Sequence, residues 1–198
     1  MKKLMIVLAA LLLAVTPALA ESATQTVPVA DGAYIVNVPA DYVVLSADTV
    51  EAVFANETIR ANFFEPMGLT TVELAREFMT MSGAGSVMIF DASLRGRVDI
   101  RQEEWHTPME AYVERKDAYD KQFMDEFVSG GIPAEAVTMM GIQEFGGLQW
   151  YGYRMQMGAF SQTVLFTVVG EVRHVFSFSN FDEQAMLDFM STFAPAAQ

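Results

Sequence analysis

The chain has 198 residues, 52% of them hydrophobic, and carries 25 Asp and Glu against 12 Lys and Arg, for a net charge of −13. Such an acidic balance repels phosphate backbones and anionic headgroups, so we expect neither a nucleic-acid partner nor attachment to anionic membranes. The sequence contains no Cys, which excludes structural disulfides and the lipid anchor of a lipoprotein, because that anchor requires a cysteine directly after the cleavage site.

The first twenty residues have the pattern of a secretory signal peptide. Lys2 and Lys3 precede an apolar run over 4–15, and Thr16-Pro-Ala-Leu-Ala20 ends in an Ala-x-Ala cleavage site. The apolar run is too short for the roughly 20 residues that span a bilayer. We therefore predict cleavage between Ala20 and Glu21, giving a periplasmic or secreted protein with no stable membrane anchor.

Residues 21–32 are small and polar, with Pro28 and Gly32 among them, and they predict a flexible lead-in. No repeat or Pro/Ser-rich linker follows. Residues 33–194 are therefore expected to form a single globular domain.

The first predicted elements are three strands and a helix. One strand covers Tyr34–Val38 before Pro39, and two more, Val50–Ala55 and Thr58–Phe64, flank a predicted turn at Asn56-Glu57. Thr70-Thr-Val-Glu73 is a capping-box pattern that predicts a helix ending at Ser82-Gly83.

Two weaker strands, Val87–Phe90 and Val98–Gln102, precede a second predicted helix. Thr107-Pro-Met-Glu110 has the capping-box pattern with proline at the first helical position, and Gly130-Gly131 ends the helix. Its apolar stripe consists of Met109, Tyr112, Val113, Tyr119, Phe123 and Phe127.

Four strands and a last helix complete the chain. The strands are Val137–Phe145, Leu148–Met157, Thr163–Val169 and Val172–Ser179. The connections at Gly146-Gly147, Gly158–Gln162 and Gly170-Glu171 predict an antiparallel meander. Asn180-Phe-Asp-Glu183 is a third capping-box pattern, before a helix that stops ahead of Pro195.

The predicted fold class is α+β, an antiparallel β-sheet covered by helices in an α/β/α sandwich. The strand Thr163-Val-Leu-Phe-Thr-Val-Val169 has no polar face, although antiparallel strands usually show one where a side is solvated. We therefore expect both faces of the sheet to be covered.

This order of elements resembles the PsbP-like superfamily, which includes photosystem extrinsic proteins, Ran-binding proteins of the Mog type and bacterial exported proteins of the DcrB type. The resemblance rests on Tyr34-Ile-Val-Asn-Val-Pro-Ala-Asp-Tyr42, Thr71-Val-Glu-Leu-Ala-Arg76 and Gly147-Leu-Gln-Trp-Tyr-Gly-Tyr153, followed by two strands and a helix. Segment 84–131 is larger than expected there. The resemblance implies a sandwich that binds other proteins and has no shared catalytic site, and it assigns no functional residue.

The two histidines are weak candidates for chemistry. His106 follows Glu103, Glu104 and Trp105, but the group lacks the paired spacing of a metal site, so a solvated loop is the favoured interpretation. His174 alternates with Val172 and apolar residues, which favours a core or rim position. No serine has the glycines of a nucleophile elbow, and Ser86 after Gly83-Ala-Gly85 does not form a phosphate loop.

Fourteen methionines are an unusual number. Met79 with Met81, and Met155 with Met157, resemble the thioether pairs that bind copper(I). Core packing is the favoured interpretation, because methionine fills irregular gaps. Carboxylate pairs such as Glu103/Glu104 and Asp182/Glu183 carry little weight in so acidic a chain.

Tyr151 and Tyr153 share one strand face, and Trp150 lies on the other. A partly covered tyrosine face would form a recognition patch for a protein, peptide or sugar, with Trp105 and His106 as further binding candidates. A sheet–helix core with hydroxyls at its rim is the favoured alternative.

The sequence thus predicts a non-enzymatic binding module of the cell envelope whose partner is another envelope or extracellular protein. It predicts no cofactor and no metal. The alternatives are a hydrolase of envelope polymers that uses carboxylates with His106 or His174, and, more weakly, a copper(I)-handling protein.

Overall fold

The computed structural model describes residues 23–83 and 85–196. The predicted signal peptide, its cleavage site at Ala20 and Glu21, and the first residues of the predicted lead-in lie outside the described residues. Within the described ranges, no helix has both the length and the apolar character needed to cross a membrane.

The centre of the molecule is a seven-stranded antiparallel sheet with the order β3-β4-β5-β9-β8-β7-β6. Its strands are β3 (Val43–Leu45), β4 (Val87–Phe90), β5 (Arg97–Glu104), β6 (Val137–Phe145), β7 (Leu148–Met157), β8 (Phe160–Val169) and β9 (Val172–Ser179). The predicted meander is confirmed as β6 to β9. Every residue over 163–168 is buried, so this part of the sheet is covered on both faces, as expected.

A three-stranded sheet and one helix cover what we call the first face of the central sheet. The small sheet consists of β1 (Thr24–Val29), β2 (Tyr34–Pro39) and β10 (Ala194–Pro195), and the helix is α6 (Glu183–Ser191). Trp150, Phe176 and Phe178 of the central sheet form one apolar cluster with residues of both elements.

The prediction of a flexible lead-in is wrong over Thr24–Val29. These residues pair with β2 in antiparallel register from Thr24↔Pro39 to Val29↔Tyr34. The side chains of Val27 and Val29 are buried, at 4% and 1% exposure. The alternation of inward valines with exposed Thr26 and Pro28 is therefore that of an edge strand, where a proline is tolerated.

Two groups of helices cover the second face. The first group lies over β3 and β4: α1 (Val50–Phe54), α2 (Glu57–Ile59), a π-helical turn (Arg60–Phe64), a 3₁₀ turn (Glu65–Met67) and α3 (Val72–Met81). The second group lies over β7 to β9: α4 (Met109–Glu114) and α5 (Lys116–Ser129), followed by a 3₁₀ turn (Ala134–Ala136). The molecule is therefore α+β, with the central sheet sandwiched as predicted.

The strands predicted over Val50–Ala55 and Thr58–Phe64 are wrong, because both segments are helical. Asn56 is an N-cap, not a hairpin turn, since its side-chain oxygen accepts hydrogen bonds from the backbone N–H groups of Thr58 and Ile59. Short apolar runs suit either structure, and here a helix brings the apolar side chains into one cluster with α3.

The predicted second helix is two helices that meet at Arg115, where φ is −116° and ψ is 31°. The break lies where the charged residues Arg115, Lys116 and Asp117 interrupt the apolar stripe between Val113 and Tyr119. The predicted cap at Thr107 is also wrong, because the helix begins at Met109 after an extended Pro108 with no side-chain cap.

The other two predicted helices exist, but each cap lies later than its capping box indicated. Thr71, not Thr70, accepts a hydrogen bond from Leu74 N. Asp182, not Asn180, accepts one from Ala185 N. An N-cap residue must be extended, as Asp182 is, whereas Asn180 has a φ of 56°.

Candidate binding groove

The charged face of β5 lies between the two helix groups. Successive side chains of a strand point to opposite faces, so Arg97, Asp99, Arg101 and Glu103 all lie on the second face. Their neighbours Val98 and Ile100 are buried in the apolar cluster of the first face. The middle of the second face is therefore a ribbon of alternating charge, flanked by two apolar clusters.

Ion pairs order this ribbon. Arg97 binds Asp99 through Nε at 3.0 Å and Nη2 at 2.9 Å, both to the same oxygen. Arg101 Nε lies 2.9 Å from Glu103, which also binds Arg173 on the neighbouring strand β9. Three arginines therefore share two carboxylates, which leaves local positive charge in an acidic protein.

Asp99 is the most unusual member of the ribbon. Burial raises the pKa of its carboxyl group, although the charge and hydrogen bonds of Arg97 oppose this effect. Its Oδ1 is buried and has no hydrogen-bond partner among the described residues. A buried acceptor without a partner is costly.

Two cavities open along the second face and share Arg97 and Gln162 as lining residues. The first, of about 270 Å³, is named here the arginine pocket and is lined by Ile59, Asn62, Phe63, Phe90, Leu94, Arg95, Arg97, Phe160, Gln162, Ser179 and Asn180. The second, of about 380 Å³, is lined by Phe78, Ser82, Ser86, Val87, Met88, Arg97, Asp99, Ile100, Arg101, Gln162 and Ser177. We call the two together the groove.

The groove offers hydrogen-bond donors, arginines and aromatic edges. In the described part of the chain, Asp99 is the one carboxylate that lines it. Glycoside hydrolysis in its usual form needs two carboxyl groups on either side of the scissile bond. The lining residues thus suit recognition better than the hydrolysis considered above.

Tyr151 and Tyr153 lie on the second face, where α4 and α5 cover them. Tyr151 is fully buried, and its hydroxyl donates a hydrogen bond to Asp120 of α5. Burial, followed by the proximity of Asp120, raises the pKa of the Tyr151 hydroxyl. Tyr153 is half-buried, with its ring 4.8 Å from that of Phe127. The two tyrosines therefore pack as core residues beneath the helices and do not form an open surface patch.

Trp105 and His106, which follow β5 directly, have different surroundings. The Arg173 guanidinium carbon lies 3.6 Å from the centre of the half-buried Trp105 ring, a cation–π contact. The Trp105 Nε1 donates to the Tyr112 hydroxyl at 3.0 Å. The His106 side chain is 78% exposed and lies 3.9 Å from Glu104. Trp105 therefore anchors the end of the charged ribbon, and His106 stands outside it.

The remaining sequence candidates do not converge. His174 is buried on the first face, on the far side of the sheet from the groove, and its Nδ1 has no partner among the described residues. Each methionine pair is split between core and surface, since Met79 and Met155 are buried whereas Met81 and Met157 are exposed. Across 23–83 and 85–196, no three His, Asp or Glu side chains cluster as metal ligands would.

Sequence reasoning missed the groove, although a signal for it was present. The stretch Arg97-Val-Asp-Ile-Arg-Gln-Glu103 alternates charged and other residues with period two. A strand with such a face, in a sheet expected to be covered on both sides, indicates that helices leave part of that face open.

The sheet order, with helices on one face and a helix with a small sheet on the other, defines the class: an α/β/α sandwich. Within this class the fold is PsbP-like. The chain is similar to the solution structure of cyanobacterial PsbP (CyanoP) from Synechocystis sp. PCC 6803, with a TM-score of 0.51 and 10% identity over 90% of this chain and 95% of that one.

A crystal structure from Bacteroides thetaiotaomicron VPI-5482 matches 88% of this chain and 49% of its own, with 8% identity and a TM-score of 0.44. No protein-family model matches the sequence, and no curated protein matches it significantly. At these identities the likeness concerns the fold alone.

Proposed function

We propose that this chain is an exported, non-enzymatic binding domain of the bacterial cell envelope, and that it holds a protein partner in the groove. The observation that carries the proposal is the charged ribbon of β5, which two helix groups leave open in the middle of an otherwise covered sheet. The leader pattern of residues 1–20 supports export.

Electrostatics support a protein partner more than a catalytic role. The ribbon carries both signs of charge in a fixed order, and such a pattern confers specificity and register on an interface. The tyrosine face predicted as a recognition patch lies beneath α4 and α5. The proposed binding surface is therefore the groove.

Crosslinking in the envelope tests the proposal. Tagged full-length protein is crosslinked in the producing cells, purified and analysed by mass spectrometry, alongside the variant Arg101→Glu. Arg76→Glu is the matched control, because Arg76 is similarly exposed, forms an ion pair with Glu51 and lines neither cavity.

We expect one specific envelope partner with the wild type and Arg76→Glu, at least about tenfold less of it with Arg101→Glu, and a mature N-terminus at Glu21. Far-UV circular dichroism checks that both variants are folded. Recovery of no specific partner, or of the same amount with a folded Arg101→Glu, contradicts the proposal.

A further inference from the structure

The arginine pocket contains no carboxylate in its lining, although the chain has 25 acidic residues. Its polar lining residues are Arg95, Arg97, Ser179, Asn62, Gln162 and Asn180. The side chain of Asn180 already donates to the backbone oxygen of Arg95 at 3.3 Å. Cations and neutral donors at one end of an acidic molecule complement an anion.

Contacts within the protein fix the Arg97 side chain but do not use all of its hydrogen-bond donors. Two of its nitrogens bind the same Asp99 oxygen, while its Nη1 takes no hydrogen-bond partner among the described residues. Its guanidinium carbon lies 5.4 Å from the centre of the Phe63 ring. The planar guanidinium is thus oriented before any ligand arrives, which lowers the entropic cost of binding.

The loop that carries Arg95 is also ordered. Asp91 accepts hydrogen bonds from the backbone N–H groups of Arg95 at 3.1 Å and Gly96 at 3.0 Å. A Cβ on Gly96 would lie 2.5 Å from Asp91 Oδ2, so only glycine allows this approach. The one carboxylate of this loop therefore binds the backbone, and the exposed Arg95 side chain forms no ion pair in the described part of the chain.

Apolar rings form the remaining walls. Phe63 and Phe90 pack edge to face with ring centres 5.0 Å apart. Phe160 is 38% exposed and is among the large apolar side chains that the described part of the chain leaves open to solvent. A ligand with only a charged group would leave these apolar walls exposed to water. A ligand with an apolar group beside the charge would bury them, which is favourable.

We propose that the arginine pocket binds a carboxylate carried by a small apolar or aromatic group. The volume of about 270 Å³ lies just below the usual range for small-molecule sites, which suits a single such group. Two sources share this chemistry: the C-terminal residue of a protein, and a free carboxylic acid. Where the source is a protein, this inference rests on the function proposed above.

NMR titration of the folded mature chain with defined probes tests the proposal. The probes are 3-phenylpropanoate as the free acid, N-acetyl-alanyl-phenylalanine as the chain terminus, and the neutral amide of each. We expect both carboxylates to shift resonances of Arg95, Arg97 and Phe160, and each amide to bind at least about tenfold more weakly, because it forfeits a charge-assisted hydrogen bond.

The variants are Arg95→Gln and Arg97→Gln, with Arg76→Gln as the control, because Arg76 lines neither cavity. Each pocket variant is expected to weaken carboxylate binding about tenfold, and the control to leave it unchanged. If Arg97→Gln unfolds, the exposed Arg95 still provides the test. A dissociation constant for the dipeptide well below that for 3-phenylpropanoate points to a protein terminus, and the reverse order to a free acid.

Equal binding of acid and amide, resonance shifts elsewhere, or no effect of the folded pocket variants would overturn the inference. Its failure is distinguishable from failure of the proposed function. If no carboxylate binds but Arg101→Glu still loses the crosslinked partner, the groove function stands and the pocket assignment falls. If the carboxylates bind but no partner is captured, the pocket assignment stands and the proposed groove function falls.

Discussion

At the scale of single residues, His174 is one of the groups whose charged form burial disfavours. It is 8% exposed, and its Nδ1 has no partner among the described residues. Burial lowers the pKa of its imidazole below the ordinary value of 6.5, and the carboxylate of Asp31 opposes this effect. The ring of Tyr34, 6.0 Å away, is the aromatic neighbour.

This lowered pKa predicts a dependence of stability on pH. Below about pH 6.5 the unfolded chain binds a proton at His174 more readily than the folded chain does, so the contribution of His174 to the free energy of unfolding is fully present above that pH and is lost as the pH falls below it. Urea denaturation at pH 7.5 and at pH 5.5 gives the free energy of unfolding at each pH, and hence the difference between the two values.

We expect His174→Gln to lose most of this difference, and His106→Gln to keep it, because the His106 side chain is 78% exposed. A wild-type free energy of unfolding that is equal at the two pH values, or a His106→Gln variant that loses the dependence, would show that His174 is not the responsible group.

At the scale of elements, the position of a cap decides where a helix starts. The side chain of Thr71 satisfies Leu74 N at 3.3 Å, whereas the adjacent Thr70 makes no side-chain hydrogen bond within the described residues. Thr71→Ala should therefore lower the free energy of unfolding by about 1 kcal/mol. Thr70→Ala should change it by less than about 0.5 kcal/mol.

Chemical denaturation of the two variants beside the wild type measures this difference. Because both threonines are exposed, burial does not confound the comparison. Equal losses for Thr70→Ala and Thr71→Ala would mean that the end of α3 frays and that neither side chain caps it.

The elements also show what sequence reasoning can and cannot reach. The meander of β6 to β9 was predictable, because glycine pairs at 146–147 and a Gly-Glu step at 170–171 separate long runs rich in β-branched and aromatic residues. Segment 50–64 was not, since its short apolar runs fit a strand or a helix until packing with α3 decides between them.

The groove was harder to predict than the strands around it. Local alternation indicates that Arg97, Asp99 and Arg101 share a face, but not that this face stays open. Whether this face stays open depends on the positions at which α3 and α5 pack on the sheet. Those positions depend on contacts between residues far apart in the chain. The arginine pocket joins residues near 62, 95, 160 and 180, which no local pattern relates.

At the scale of the whole molecule, β1 is part of the core structure. A chain beginning at Gly32 would lose the strand that contributes Val27 and Val29 to the apolar cluster of the first face. Burial of a valine side chain contributes about 1.5–3 kcal/mol, a large share of the roughly 5–15 kcal/mol that stabilises most domains.

We expect the melting temperature of that truncated chain to fall by at least about 10 °C relative to a chain beginning at Ala23. Circular dichroism of the two purified chains provides the measurement. Equal melting temperatures would mean that β1 adds no stability, which is what a flexible lead-in over residues 21–32 would give.

The small sheet joins the two ends of the described chain. Strand β10 pairs with β2 through Ala194↔Ile35, and Asn37 N donates to Thr192 Oγ1 at 2.9 Å across 155 residues of sequence. A polypeptide synthesised from its N-terminus onward therefore cannot complete this sheet until Ala194 and Pro195 have emerged. Contacts of such sequence separation form slowly, so we expect the pairing of β10 with β2 to be a late step of folding.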